Sequence, residues 1–365
     1  MKMIVSILMA IMLVANPISI GRISCWNETE QYRNLQTERY IASYLSSFDQ
    51  NAEDIILSDP LPLRNALTDE VIAICYTINH KGYVILNLSD YSINEYDLLN
   101  AHPIYNNSLN TYYYGGLFLY FYEDNSQLVD AYSQKPVSRD FLVDVYQAYE
   151  NDYPVLSQSD LTTKIKKCID YAASASRREN LTRSTISNQL SQTYSTVFVN
   201  YQCGATACAT LIDFCAKRDN DYRIKGGLTQ IELIQDLIPR VTPTYGTDDL
   251  ADGVNEFIDE INENYPNNPI QLQMMCQYFY QFGTVRDCID QDIPITVGGE
   301  AAMIDGVTDP TSHVVAVWGY SFTIDPIHDI YFYLLRVNNG WGSNSATVSY
   351  FNTPPSTLAD HVLID

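Results

Sequence analysis

Three short segments in the second half of the chain carry side chains suited to covalent chemistry. The first is Asn200-Tyr201-Gln202-Cys203-Gly204-Ala205-Thr206-Ala207-Cys208-Ala209. It reads as a loop that becomes a helix at Cys203, followed by small residues that allow close packing. A helix start favours negative charge, so a thiol placed there is drawn toward the thiolate, the nucleophilic form. The second is Ser312-His313-Val314-Val315-Ala316-Val317-Trp318-Gly319-Tyr320, which sets a His at the head of an apolar strand. The third is Val337-Asn338-Asn339-Gly340-Trp341-Gly342. A Cys–His pair needs a third group to hold the imidazole in the right tautomer, and an Asn side-chain amide oxygen can accept the second ring N–H. A nearby Trp can screen that bond from water. The three segments therefore fit Cys203 as nucleophile, His313 as base and Asn339 as orienter, with Asn338 the neighbouring alternative. Taken alone, Cys203 reads equally well as a buried cysteine with no role.

The remaining candidates read as structural. Cys208 lies more than a turn inside the same helix, where it meets packing rather than substrate. His80 falls in a turn, His102 before Pro103, His328 in a loop and His361 near the end, all surface or structural positions. There is no CxxC pair, and the five His do not cluster with Cys at zinc spacing, so neither a metal nor a cofactor is expected.

The elements that must position these residues follow from pattern. Cys203 to Lys217, Gln230 to Ile238 and Asp248 to Asn264 read as helices. Pro294 to Gly298, His313 to Tyr320 and Ile330 to Asn338 read as strands. Helices first and strands second make an α+β domain over residues 184–365. Upstream, residues 25–163 form a separate α+β unit. It holds a helix from Trp26 to Phe48 and strands at Val71 to Ile78 and Tyr83 to Leu88 around an Asn79-His80-Lys81-Gly82 turn. An aromatic strand region at Tyr112 to Tyr122 and a helix at Phe141 to Tyr149 complete it. Between the units, residues 164–183 hold 6 of the 21 basic residues: Lys164, Lys166, Lys167, Arg177, Arg178 and Arg183. A charge run of this kind reads as a solvated linker, and exposed linkers are where proteolysis concentrates, which makes it a candidate processing region.

The chain has 365 residues, enough for two domains, and a formal net charge of −23. Such acidity repels phosphate backbones and anionic membranes, so nucleic acid and membrane surfaces are excluded as partners. Lys2 followed by the apolar run Met3 to Ala15 has the length of a signal-peptide core and is too short to span a bilayer. Residues 1–24 are thus expected to be a signal peptide, with export and no membrane insertion after its removal. A buried N-terminal helix is the plainer alternative, and lipidation at Cys25 fits less well. Sequons stand at Asn27, Asn87, Asn106 and Asn180. Export would also permit a Cys276–Cys288 bridge.

The second half resembles the papain superfamily of cysteine peptidases. Cys203-Gly204 and its helix match the nucleophile motif. His313-Val314-Val315-Ala316-Val317-Trp318-Gly319-Tyr320 resembles the family's His-Ala-Val-x-x-x-Gly-Tyr strand, and Asn339-Gly340-Trp341-Gly342 its Asn-Ser-Trp-Gly. Two branches are nearest: the streptopain family, and the bacterial peptidases with a Cys-Gly-Pro-Thr motif that are related to bacteriocin-processing enzymes. Lys81-Gly82-Tyr83-Val84-Ile85-Leu86-Asn87-Leu88-Ser89-Asp90 is similar to a strand of streptopain prodomains. The resemblance implies a helical half bearing the nucleophile, an antiparallel β half bearing His and Asn, and an N-terminal prodomain. It implies a secreted endopeptidase made as a zymogen, a monomer whose prodomain contact is intramolecular, acting on protein or peptide substrates. It also implies an oxyanion-hole Gln. The papain position, six residues before the nucleophile, is Val197 here; Gln192 matches the Gln segment of the two bacterial branches, with a solvated polar role as its alternative. Streptopain-like enzymes carry Trp where this chain has Asn339. A non-catalytic binding protein on the same fold, and an amidase or transpeptidase using the same triad, are the rival functions.

Overall fold

A computed structural model describes residues 35–48, 55–102, 111–116, 119–131, 136–173, 181–185, 203–241, 247–277, 282–299, 314–325, 330–338, 346–349 and 358–364. The sequence's strand-forming runs meet in one mixed α+β architecture with a 14-stranded sheet. Its strands are β1 (Leu57–Arg64), β2 (Val71–Ile78), β3 (Gly82–Asn87), β4 (Ile93–Asp97), β5 (Tyr112–Gly116), β6 (Leu119–Asp124), β7 (Gln127–Asp130), β8 (Leu181–Thr185), β9 (Gln273–Gln277), β10 (Ile295–Gly299), β11 (Val314–Asp325), β12 (Ile330–Asn338), β13 (Ala346–Ser349) and β14 (Leu358–Ile364). The spatial order is β7-β6-β5-β1-β2-β3-β4-β13-β12-β11-β10-β14-β9, with β8 on β11. Helices α1 (Leu35–Phe48), α2 (Arg139–Asp152) and α3 (Gln158–Ala173) belong to the first half. Helices α4 (Cys203–Arg218), α5 (Gln230–Val241), α6 (Thr247–Asn264) and α7 (Phe282–Asp290) belong to the second.

In the first half, period-two alternation assigns each face of the sheet its own core. Ile74, Tyr76 and Ile78 of β2 join Tyr40, Ile41, Tyr44 and Leu45 of α1 and Ile165, Cys168 and Tyr171 of α3. Ala73 and Cys75 point the other way, into a second core with Phe141, Leu142, Val145, Tyr146 and Tyr149 of α2. The β2–β3 hairpin forms where the sequence places it. Asn79 and His80 sit at φ 49° and 58°, and the Lys81 N–H donates to the Ile78 carbonyl at 2.9 Å. Asn tolerates that left-handed region better than most residues. Gly82 has no freedom to vary: a Cβ there would lie 2.1 Å from the Asp97 carbonyl oxygen. Helix starts are capped locally. The Ser138 Oγ accepts from the Phe141 N–H at 3.2 Å. Thr229 and Glu232 bond reciprocally through side chain and backbone at the start of α5.

The basic stretch 164–183 is not a solvated linker in its described parts. Residues 164–173 complete α3, whose Ile165, Cys168 and Tyr171 are buried. Residues 181–185 form β8, paired with β11 from Leu181↔Thr323 to Thr185↔Gly319. The boundaries expected at 164 and 184 fall inside these two elements, because the stretch's apolar residues keep a helical spacing that its charges conceal. The structure also adds β1, β4, β7, β9, β13, β14, α3 and α7 to the expected elements. In β1, Pro60 and Pro62 disguise a strand; Pro60 falls in a bulge between Ser58 and Leu61, and Pro62 is paired with Ile74.

The halves are joined through the backbone. On β13, Thr347 pairs with Tyr96 and Val348 with Glu95 of β4. Leu334 of β12 is buried in the core made by α1, α3 and β2 to β4. The expected signal segment 1–24, Cys25 and the sequons at Asn27, Asn106 and Asn180 lie outside the described residues. Asn87 is fully buried, and its side chain is held by Ser92, Asn94 and Tyr149.

Candidate active site

Helix α4 runs through the middle of the second half. Every residue from Ala205 to Ala216 is buried, which an amphipathic surface helix would not show. Its alanines let neighbours approach closely, and a Cβ on Gly204 would meet the Leu250 Cδ2 of α6 at 2.8 Å. The charge at Asp213 is tolerated in this core because Lys217 and Lys225 pair with it, the latter at 3.0 Å. These two lysines more than offset the cost of burial and hold the Asp213 carboxyl below its ordinary range.

Cys203 opens this helix and is half-buried, while Cys75, Cys168, Cys208, Cys215 and Cys288 are buried. All six are free thiols, so Cys288 makes no bridge to Cys276; the latter sits in β9 opposite His361 of β14. Burial pushes the Cys208 and Cys168 thiols up to about 12, which makes them inert near neutral pH. The Cys203 sulfur has a different setting. It is in hydrogen-bond contact with the backbone of Val314, at the start of β11, and with that of Gly204 and its own residue, contacts that favour the thiolate. Burial outweighs them, and the carboxylate of Asp130 at the end of β7 acts in the same sense as burial. The net direction is upward. This is opposite to what a bare helix start would do: burial of the sulfur is the largest cause, and the Asp130 charge adds to it.

Cys203 alone of the four expected site residues is described by the structure. His313, Asn339 and Gln192 lie outside the described residues. Their chain neighbours are on the page. Val314 follows 313 in sequence and touches Cys203. Asn338 precedes 339, is buried, and lies across from Ala316 in the β11–β12 ladder. Asp130 was not anticipated. Its only sequence signal is a carboxylate at the end of an apolar run, Leu128-Val129-Asp130-Ala131; its fully buried position near Cys203 depends on the tertiary fold. Among the described residues, no three His, Cys, Asp or Glu side chains gather as ligands for a metal ion.

A solved structure is similar. It is a fragment, 39–359, of prointerpain A from Prevotella intermedia in a Cys-to-Ala variant. The two chains are 12% identical, with a TM-score of 0.33, over 83% of this chain and 97% of that one. No family model and no curated protein matches the sequence.

Proposed function

We propose that this chain is an exported cysteine endopeptidase of papain-like design, held latent by its own first half. The observation that supports this most is the setting of Cys203. It is the half-buried thiol at the first turn of a buried helix, with its sulfur against the backbone of Val314, the residue next to His313. In the proposed reaction His313 takes the Cys203 proton, and the thiolate attacks the scissile carbonyl carbon. The resulting oxyanion is held by the backbone N–H of Cys203 and the side-chain amide of Gln192. The C–N bond then breaks as His313 protonates the leaving amine. Water, deprotonated by His313, hydrolyses the thioester and restores the thiol. Asn339 orients His313.

The latent state rests on a second observation. Asp130 belongs to the first half, and its charge disfavours the thiolate at Cys203. The test is labelling of the full chain with a thiol-directed epoxide, with and without limited cleavage between the halves. Cleavage-dependent modification at Cys203, together with peptide hydrolysis lost in Cys203→Ala, supports the reading. An unreactive Cys203 after cleavage favours the binding protein. Turnover of cell-wall amides in place of peptides favours the amidase.

A further inference from the structure

Strand β4 is the first half's side of the joint, and a buried acid–base cluster sits on it. The Glu95 backbone pairs with Val348 of β13. Its side chain is buried and accepts hydrogen bonds from the hydroxyls of Tyr83 on β3 and Tyr120 on β6. The His102 Nε2 lies 3.4 Å from the Glu95 carboxylate, and both side chains are almost wholly shielded, at 4% and 7% exposure. The imidazole is set edge-on between the Tyr83 and Tyr120 rings, at centroid distances of 4.6 and 4.9 Å. Cys75 of β2 and Tyr114 of β5 also face this charge, and both are themselves pushed up by burial. The catalytic chemistry proposed above uses none of these groups.

We infer that the Glu95–His102 pair is an acid-sensitive clasp that keeps β4, and with it the joint to β13, in place. A buried carboxylate that is fully hydrogen-bonded is stabilised in its charged form, and protonating it takes away acceptor capacity that the surrounding donors use. Protonating Glu95 removes the carboxylate charge that His102 faces and part of the acceptor capacity used by the two tyrosines. Burial alone would raise the Glu95 carboxyl. The hydrogen bond and charge of His102, then the Tyr120 and Tyr83 hydroxyls, outweigh it and hold the carboxyl below its ordinary range. A depressed carboxyl stabilises the folded state above its ordinary value, and that contribution disappears as pH falls through the folded value. The clasp is therefore closed near neutral pH and weakens below the usual carboxylate range. Its regulatory meaning, release of the first half from the half bearing Cys203, rests on the function proposed above; the clasp itself does not.

Hydrogen exchange of the full chain between pH 6 and 3, corrected for the intrinsic pH dependence, tests it without any need for peptidase activity. Peptides covering residues 93–97 and 346–349 should lose protection by about tenfold per pH unit below the ordinary carboxylate range, ahead of peptides from α6. Glu95→Gln should already exchange fast at pH 6 and show a flattened pH response. If Glu95→Gln fails to fold, the wild-type series decides by itself. Joint peptides that stay as protected as α6 down to pH 3, or a Glu95→Gln chain with the wild-type pH response, would overturn the inference. An acid-labile joint in a chain whose Cys203 never reacts would leave the clasp standing and remove only the peptidase.

Discussion

At the scale of single residues, reactivity is decided by competing neighbours rather than by a motif. The start of α4 gives Cys203 the backbone contacts that favour a thiolate, yet burial and Asp130 reverse the outcome in the full chain. Asp130→Asn should therefore raise the alkylation rate of Cys203 near neutral pH, by up to about tenfold for each unit its pKa drops. Mass spectrometry of the labelled peptide reads this directly, and an unchanged rate would remove Asp130 from the account. His313→Ala should abolish turnover by the cleaved protein. Asn339→Ala should leave a residual rate, because an orienter assists without carrying the proton. If Asn338→Ala is the more damaging change, Asn338 and not Asn339 is the orienter. Cys203 and the residue types around it could be read from the sequence, since each sits in a local pattern. Asp130 could not, because its influence on Cys203 acts through space between residues distant in sequence, which no local pattern records.

At the scale of elements, legibility follows how local the determining forces are. The β2–β3 hairpin was readable because β-branched and aromatic runs flank a turn whose residues suit a positive φ. Helix α4 was readable from its small and apolar residues. Strand β1 was not, because its two prolines argue against a strand, and the bulge that holds Pro60 is not legible in sequence. Helix α3 and strand β8 were hidden by their basic residues, although the buried face of α3 keeps helical spacing. Two outcomes follow. Gly82→Ala should lower unfolding stability by about 1–3 kcal/mol in denaturant titration, since the new Cβ meets a backbone oxygen that cannot yield. A chain beginning at Ser184 should melt below one beginning at Leu181. The shorter chain lacks the β8 residues that pair with Ser321, Phe322 and Thr323. Equal melting of the two would show that β8 is dispensable.

At the scale of the whole molecule, the described residues of the first and second halves are bound to each other. One sheet runs through both, Leu334 of the second half is buried in a first-half core, and the strand after α3 is bound to β11. Pattern analysis divides a chain where composition shifts, and it has no way to see a strand pairing made between distant segments. This architecture means that cutting the chain between the halves need not separate them. The measurement that tests the account most directly is the rate of Cys203 modification by a thiol-directed epoxide, followed together with peptide hydrolysis. Full-length protein is compared before and after the halves are cut and parted. The account predicts slow labelling and little hydrolysis in the intact chain, and a coordinated rise of both on release, absent in Cys203→Ala. Hydrolysis that persists in Cys203→Ala, or labelling equally fast before and after release, would contradict it.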